Sequence, residues 1–517
     1  MRAGIDCELH VTFRAGAAAT NIDPPLGLPM VGVVKRHEMA AEQLAPLEVT
    51  AAAFERGSVR AVVCGVDTLA IQSPEVDLIR ERVASITGAA RAGVLLNWNH
   101  THHAPPGGRS VYGSFGEEDT RLGDAALMYI DALHEAIVET CTRAFARLEE
   151  ASVRWGLGSA ALAVNRRQRD DDGLVRKIGW NANGLVDQSV PVLQSVRTDG
   201  SAIATIVGYG AHTVTTGVNY IGYSPDYPGW LRETVRRLTG GECVFLQGAA
   251  GNVMPLFGFD DELVAPVETG RRLGLEAAHA IADRPSWPVR LVRAGFDSAT
   301  PLELFRLTRV AGDPPALAAS EEDVEFPLLP LPSPESIAAE RAKGERDIAD
   351  AQARGATESE LRILRFHGLN WARRTEAEIL GGNPRRSVRG SISALRIGDA
   401  AIVTGPGEIF TEIGLAVKER SPADVTFYAG YTNGCISYMP TASEYPLGGY
   451  EPTYGHKTYG LPAQLSPETE RILIETGVRL VVSLYPERET SAADGWLATG
   501  RLPEAPPSPV LVRPATD

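Results

Sequence analysis

Three of the chain's ten histidines fall within four positions, in Asn99-His100-Thr101-His102-His103-Ala104-Pro105-Pro106, directly after the apolar run Leu95-Leu96-Asn97-Trp98. Imidazole is the commonest metal ligand, and its ordinary pKa makes it the usual proton carrier near neutrality. Such a cluster at the end of a strand points to metal binding, proton transfer or both; histidines that merely close a strand are the structural alternative. In an extended backbone, residues two apart share a face. His100 and His102 are therefore expected to look into one site while His103 looks away.

Other stretches have the same form, an apolar run that ends in chemistry-bearing residues. Ile203 to Tyr209 leads to His212 and on to Tyr223-Ser224-Pro225-Asp226-Tyr227-Pro228-Gly229. Alone, His212 also reads as a satisfied core histidine, and Asp226 as a helix N-cap. Val403-Thr404-Gly405-Pro406-Gly407-Glu408 places a carboxylate at the opening of a helical segment, where it would serve as a ligand or complement the helix dipole. Tyr428 to Glu451 is a Gly/Pro loop dense in tyrosine, suited to ligand contact or to an ordinary surface position. Phe245 to Pro255 runs into Gly248-Ala249-Ala250-Gly251, small residues that allow close backbone approach. GxGxxG, GxxxxGK[ST], GxSxG and HExxH are absent, so no nucleotide-binding motif is present.

The elements that must hold these residues follow from periodicity. Ala61 to Val66, Gly93 to Trp98, Ile203 to Tyr209, Cys243 to Gln247, Ala400 to Thr404 and Val425 to Gly430 read as buried strands. Pro74 to Ile86, Asp119 to Leu148, Asp226 to Leu238, Pro266 to Ala282 and Glu408 to Glu419 have helical spacing. The alternation predicts an α/β fold, a layered mixed sheet with helices on its faces. Gly312 to Pro334, rich in Pro and acidic residues, reads as a surface excursion leading into helices over Ile337 to Arg354 and Glu358 to Leu380. It is a solvated linker or, alternatively, a lid or interface arm. The expected organisation is one catalytic domain over 1–485, containing this 312–380 excursion, and a peripheral Pro-rich tail over 486–517.

Composition narrows the function. A net charge of −15 opposes binding to nucleic acid or anionic bilayers and favours a small neutral or cationic substrate. Five scattered cysteines without CxxC spacing suit reduced thiols. Asp6, Glu8, His10 and Arg14 interrupt any N-terminal apolar core, and no run reaches the length of a membrane span. The expectation is a soluble, cytoplasmic protein without stable membrane association; nothing in the sequence marks its oligomeric state.

Taken in order, these segments resemble the neutral/alkaline ceramidase family in its catalytic domain. The matching stretches are Ala19-Thr20-Asn21-Ile22-Asp23-Pro24-Pro25-Leu26-Gly27, His100-Thr101-His102, Asn165-Arg166-Arg167, His212, Ser224 to Gly229, Gln247 to Pro255, Pro406-Gly407-Glu408 and Tyr438 to Glu451. The resemblance implies a ceramidase-like α/β domain and a Zn²⁺ cofactor held by His100, His212, Glu408 and Tyr438. It further implies His102 as proton carrier or oxyanion stabiliser, Arg166 as a substrate contact, and Asp226 orienting a ligand.

Two departures shape the expected chemistry. Met254 stands where the family has its proposed serine nucleophile, and a thioether cannot attack a carbonyl. Zinc-activated water, with His102 handling protons, then becomes the implied nucleophile. The chain is also expected to lack the family's immunoglobulin-like domain and secretory segment, an expectation that argues against ceramide itself as substrate. The sequence reads as a zinc-dependent hydrolase of an amide or ester bond in a small molecule. The alternatives are a zinc-dependent lyase or isomerase acting beside a carbonyl, or, from Met254, a catalytically degenerate binding protein. Val111 to Glu118, Gly173 to Asp187 and Tyr445 to Tyr459 are the expected specificity loops.

Overall fold

The computed structural model describes residues 12–109, 123–285, 287, 289–297, 299–309 and 312–488. The loop Val111 to Glu118 and the tail beyond residue 488 lie outside the described residues.

Eight strands form the principal sheet, in the order Glu242–Gln247, Ala202–Tyr209, Ser189–Arg197, Glu149–Ser159, Phe13–Asn21, Glu48–Arg56, Val59–Val66 and Val94–Trp98. Its centre is antiparallel and rich in alanine. Phe13–Asn21 (FRAGAAATN) pairs with Glu48–Arg56 (EVTAAAFER), and the small side chains let the helix Asp124–Ala146 lie close. At Gly16 the approach is so tight that a Cβ would fall 2.3 Å from the Ala144 carbonyl oxygen.

Both edges of this sheet are parallel pairs: Val59–Val66 with Val94–Trp98, and Ala202–Tyr209 with Glu242–Gln247. Val94–Trp98 and Ala202–Tyr209 are buried along their whole length, which is why they read as continuous apolar runs. The sheet curls until its edges meet. A Cβ on Gly65 would lie 2.7 Å from the Phe245 carbonyl oxygen, and the Gln247 amide donates to Asn97 Oδ1 at 2.8 Å.

A second sheet, Leu317–Pro327, Ser387–Ile397, Ala400–Thr404 and Val425–Ala429, closes over the curled edges. Leu395, Ile402 and Phe427 from it join Phe54, Leu193 and Leu246 of the first sheet in one apolar core. Its last two strands are again parallel. Asn97 Nδ2 donates to the Gly430 carbonyl at 2.7 Å and to Thr432 Oγ1 at 2.9 Å, so this single amide gathers the ends of three parallel pairs. Carboxyl ends of parallel strands are where α/β sheets build their sites.

Two expectations are corrected. Leu317–Pro327, read from its Pro and acidic residues as part of a surface excursion, is an edge strand with Leu317 and Phe326 buried, and its acidic Glu321 is itself largely buried between Arg80 and Arg91. The helix after Glu408 begins at Thr411, because Glu408–Ile409 instead pairs with Tyr438–Met439. The helical part of the excursion, Pro334–Ala353, Glu358–Leu364 and Trp371–Leu380, is tied to the body by the indole of Trp371, which donates to the Leu461 carbonyl at 2.8 Å. Among the described residues no helix is long and apolar enough to cross a membrane.

Candidate metal centre

His100 lies two residues beyond Val94–Trp98, with its backbone in the left-handed region at φ 65°. Such a conformation is costly for a residue with a side chain and persists only where the surroundings enforce it. Here the His100 amide donates to the Thr68 carbonyl at 3.0 Å and ring Nδ1 donates to the Leu69 carbonyl at 2.8 Å. That second bond fixes the tautomer and leaves Nε2 as the lone-pair atom. His100 and His102 do enter one site, with ring centroids 5.1 Å apart, but the left-handed turn at His100 brings them there rather than an extended backbone. His103 turns away toward Arg36 and the Gly217 carbonyl.

His212 follows Ala202–Tyr209. Gln247 Nε2 and the Tyr227 hydroxyl both donate to the Ala211 carbonyl, at 2.8 and 2.6 Å, and hold the chain immediately before it. Its Nδ1 donates to the Ala250 carbonyl at 3.3 Å, so Nε2 again faces inward. Among the described residues Asp226 makes no side-chain hydrogen bond to a histidine. Its carboxylate accepts from the amides of Thr215, Thr216 and Tyr227 and from the Thr215 hydroxyl, capping the helix Tyr227–Thr239 and pinning the segment after His212. The expected orienting bond from Asp226 to a ligand is replaced by this backbone role.

Glu408 completes the cluster. A Cβ on Gly251 would lie 2.2 Å from the Glu408 carbonyl oxygen, so that glycine permits the close approach of the two loops. Glu408 Oε2 lies 3.3 Å from His100 Nε2 and 3.7 Å from His212 Nε2. The nitrogens of His100, His102 and His212 all lie within 4.8 Å of one another. Burial pushes the Glu408 carboxyl up, but neighbours that include the Arg166 guanidinium and the Tyr459 hydroxyl hold the group below its ordinary range. Burial holds His102 well below the ordinary histidine value, and burial together with the Arg166 guanidinium does the same to His212.

His102 has room only because residue 32 is glycine: a Cβ there would lie 2.6 Å from the imidazole Cγ. Its Nε2 is buried and has no hydrogen-bond partner among the described residues. Arg166 is buried too. Its Nε donates to Glu451 at 2.9 Å, its guanidinium stands 5.5 Å from the Tyr438 ring centroid, and Nη2 is a second buried atom without a hydrogen-bond partner among the described residues. Arg167 shares Glu451 and also binds Glu444, so two guanidiniums are held by two carboxylates behind the site.

Tyr438 is buried opposite Glu408 in their short parallel ladder. Two other phenols, absent from the sequence-derived set, touch the cluster. Tyr431 Oη lies 3.4 Å from Glu408 Oε2 and 3.5 Å from His212 Nδ1, and Tyr459 Oη donates to Glu408 Oε1 at 2.6 Å. Burial and then neighbouring charge push the Tyr431 and Tyr438 phenols well above their ordinary value. Tyr431 was within the tyrosine-dense loop, but only its left-handed backbone (φ 51°) directs it inward, and that is invisible in composition.

The donor set fits one divalent cation. Two atoms bound about 2.1 Å from a tetrahedral zinc are separated by about 3.4 Å, close to the 3.3 and 3.7 Å between Glu408 and the two histidines. Met254, by contrast, packs with Val164 and Val214 in a small apolar cluster.

Comparison with solved structures gives the same architecture. A ceramidase complexed with C2 superposes with a TM-score of 0.63 at 19% identity, covering 92% of this chain and 76% of that one. The neutral ceramidase from Pseudomonas aeruginosa gives 0.61 at 18% identity, covering 92% and 75%. The fold is ceramidase-like. No family model matches the sequence, and no curated protein does.

Proposed function

We propose that this ceramidase-like chain is a zinc-dependent hydrolase that cleaves an amide or ester bond of a small molecule. One observation carries the reading. With Nδ1 of His100 and of His212 committed to backbone carbonyls, two lone-pair nitrogens face one carboxylate oxygen in a buried space. Electron-rich atoms so placed repel unless positive charge lies between them, and a divalent cation answers all of them at once.

His100, His212 and Glu408 would hold the ion, with Tyr438 beside them as the proposed fourth ligand. When bound, zinc supplies Lewis acidity toward a carbonyl and acidifies water. The chain's own residues do the rest. His102, neutral and with Nε2 free, accepts a proton from the attacking water and returns it to the departing nitrogen or oxygen as the bond to the carbonyl carbon breaks. Arg166 Nη2 is the free donor positioned for a substrate oxygen, held by Glu451. No nucleophilic side chain is required, which is compatible with Met254 in an apolar cluster.

Metal analysis of the purified chain beside His100→Ala and His212→Ala tests the site. About one zinc per chain in the parent and loss in both variants is expected; equal zinc in all three removes the proposal. Turnover of an amide and ester panel in oxygen-labelled water tests the reaction, because hydrolysis alone places solvent oxygen in the new carboxylate.

A further inference from the structure

On the far side of Glu408 lies a cleft of about 530 Å³ that shares one residue, Tyr459, with the metal cluster. Its wall includes Asn433, only 4% exposed and held at φ 56°. The Leu96 amide donates to Asn433 Oδ1 at 2.9 Å, which fixes the orientation of the side chain, so Nδ2 is the atom left over. That Nδ2 is buried and has no partner among the described residues. A buried donor without an acceptor carries a desolvation cost, which a ligand bearing an acceptor atom removes.

The rest of the lining states what that ligand is. Val388, Ile436 and Leu461 give it an apolar wall. Charges at the rim balance: Arg91, Arg385 and Arg389 stand with Asp77, Glu81 and Asp323, and Arg91 and Arg389 already bind Asp323. No cation is in excess to receive an anion, and the Glu408 carboxylate lies just behind Tyr459. Cys435, also in the wall, has its thiol pushed well up by burial and by Glu408, so it is a neutral contact whose Sγ sits 3.3 Å from the Tyr459 hydroxyl.

We infer that this cleft is a second ligand site, for a small neutral carbonyl compound whose oxygen accepts from Asn433 Nδ2 while its apolar body lies on Val388, Ile436 and Leu461. Because Tyr459 belongs to both sites, occupancy is felt at Glu408; only this coupling rests on the proposed metal centre.

Acetophenone, benzoate and ethylbenzene are probes of one size that differ in charge and in the presence of an acceptor. Titration calorimetry and proton saturation transfer on the full chain should show saturable binding of acetophenone, about tenfold tighter than either of the others. Asn433→Asp keeps the acceptor for the Leu96 amide and deletes the donor, and should weaken acetophenone about tenfold. Should that variant fail to fold, Ile436→Ser tests the apolar wall with the same expectation. Binding must persist in His100→Ala and His212→Ala, which separates this cleft from the metal site. Absence of saturable binding, equal or tighter binding of benzoate or ethylbenzene, indifference to both cleft variants, or loss in the histidine variants would overturn the assignment. In the zinc-loaded chain, saturating acetophenone should shift zinc affinity at least about twofold; no shift overturns the coupling.

Discussion

Tyr459 donates its phenolic proton to Oε1 of Glu408 at 2.6 Å, and this leaves Oε2 as the oxygen that faces His100 at 3.3 Å and His212 at 3.7 Å. One hydrogen bond thereby decides which carboxylate oxygen is available. Groups that orient a metal ligand from behind commonly affect affinity by about 10 to 100-fold. Tyr459→Phe should therefore weaken zinc by about tenfold or more in a competition assay while the chain remains folded. Unchanged affinity would mean that Glu408 is held by its backbone alone.

Gly251 makes the same point sterically. A methyl group there would meet the Glu408 carbonyl oxygen at 2.2 Å, with the Gly251 amide already bonded to the Ile409 carbonyl at 2.8 Å. Backbone, unlike a side-chain tip, cannot swing aside. Gly251→Ala is expected to cost about 1 to 3 kcal/mol in urea unfolding, and to lower zinc affinity as well. A cost below that range would show that the two loops separate easily.

Much of this arrangement is legible in the sequence, for a physical reason. Strands buried on both faces are continuous apolar runs, so Val94–Trp98, Ala202–Tyr209 and Ala400–Thr404 stood out, and the polar residues just past their ends, His100, His212 and Glu408, were conspicuous. The alanine-rich strands Phe13–Asn21 and Glu48–Arg56 were not, since alanine carries no β preference of its own and only the tight packing of Asp124–Ala146 explains it. Tyr431 and Tyr459 lie in loops that the sequence marks for ligand contact or specificity, but their contact with Glu408 is not legible there. One depends on a left-handed backbone and the other on a contact spanning 51 residues. Asp226 was legible as an N-cap, and that humbler reading is the one the structure bears out.

Acid should loosen the junction between the sheets through Asp187. Burial alone would raise this carboxyl, but Lys418 Nζ at 2.6 Å and the Ser189 hydroxyl more than compensate, leaving it below its ordinary value. A depressed carboxyl stabilises the fold above its unfolded pKa, and that contribution disappears as pH falls through the folded value. Unfolding of the parent should therefore become easier below the ordinary Asp range, and Asp187→Asn should be less stable at neutral pH with a shallower loss in acid. Parallel pH profiles for the two proteins would remove Asp187 from the account.

His102 depends on Gly32 in the way Glu408 depends on Gly251. Gly32 combines a φ of 96° with a space in which a Cβ would lie 2.6 Å from the imidazole Cγ, so Gly32→Ala is strained in its backbone and displaces the ring. The atoms that a Cβ at residue 32 would meet first all belong to His102 rather than to the proposed ligands His100, His212 and Glu408, and zinc content should stay near the parent's. If His102 carries the proton, turnover should fall by about 10² or more, the usual worth of a positioned acid or base, with KM little changed. His102→Gln, which removes proton transfer without adding bulk at residue 32, should match it. Full activity in both variants, with zinc retained, would transfer the proton to another group, and Tyr431, 3.4 Å from Glu408, is the next residue in reach.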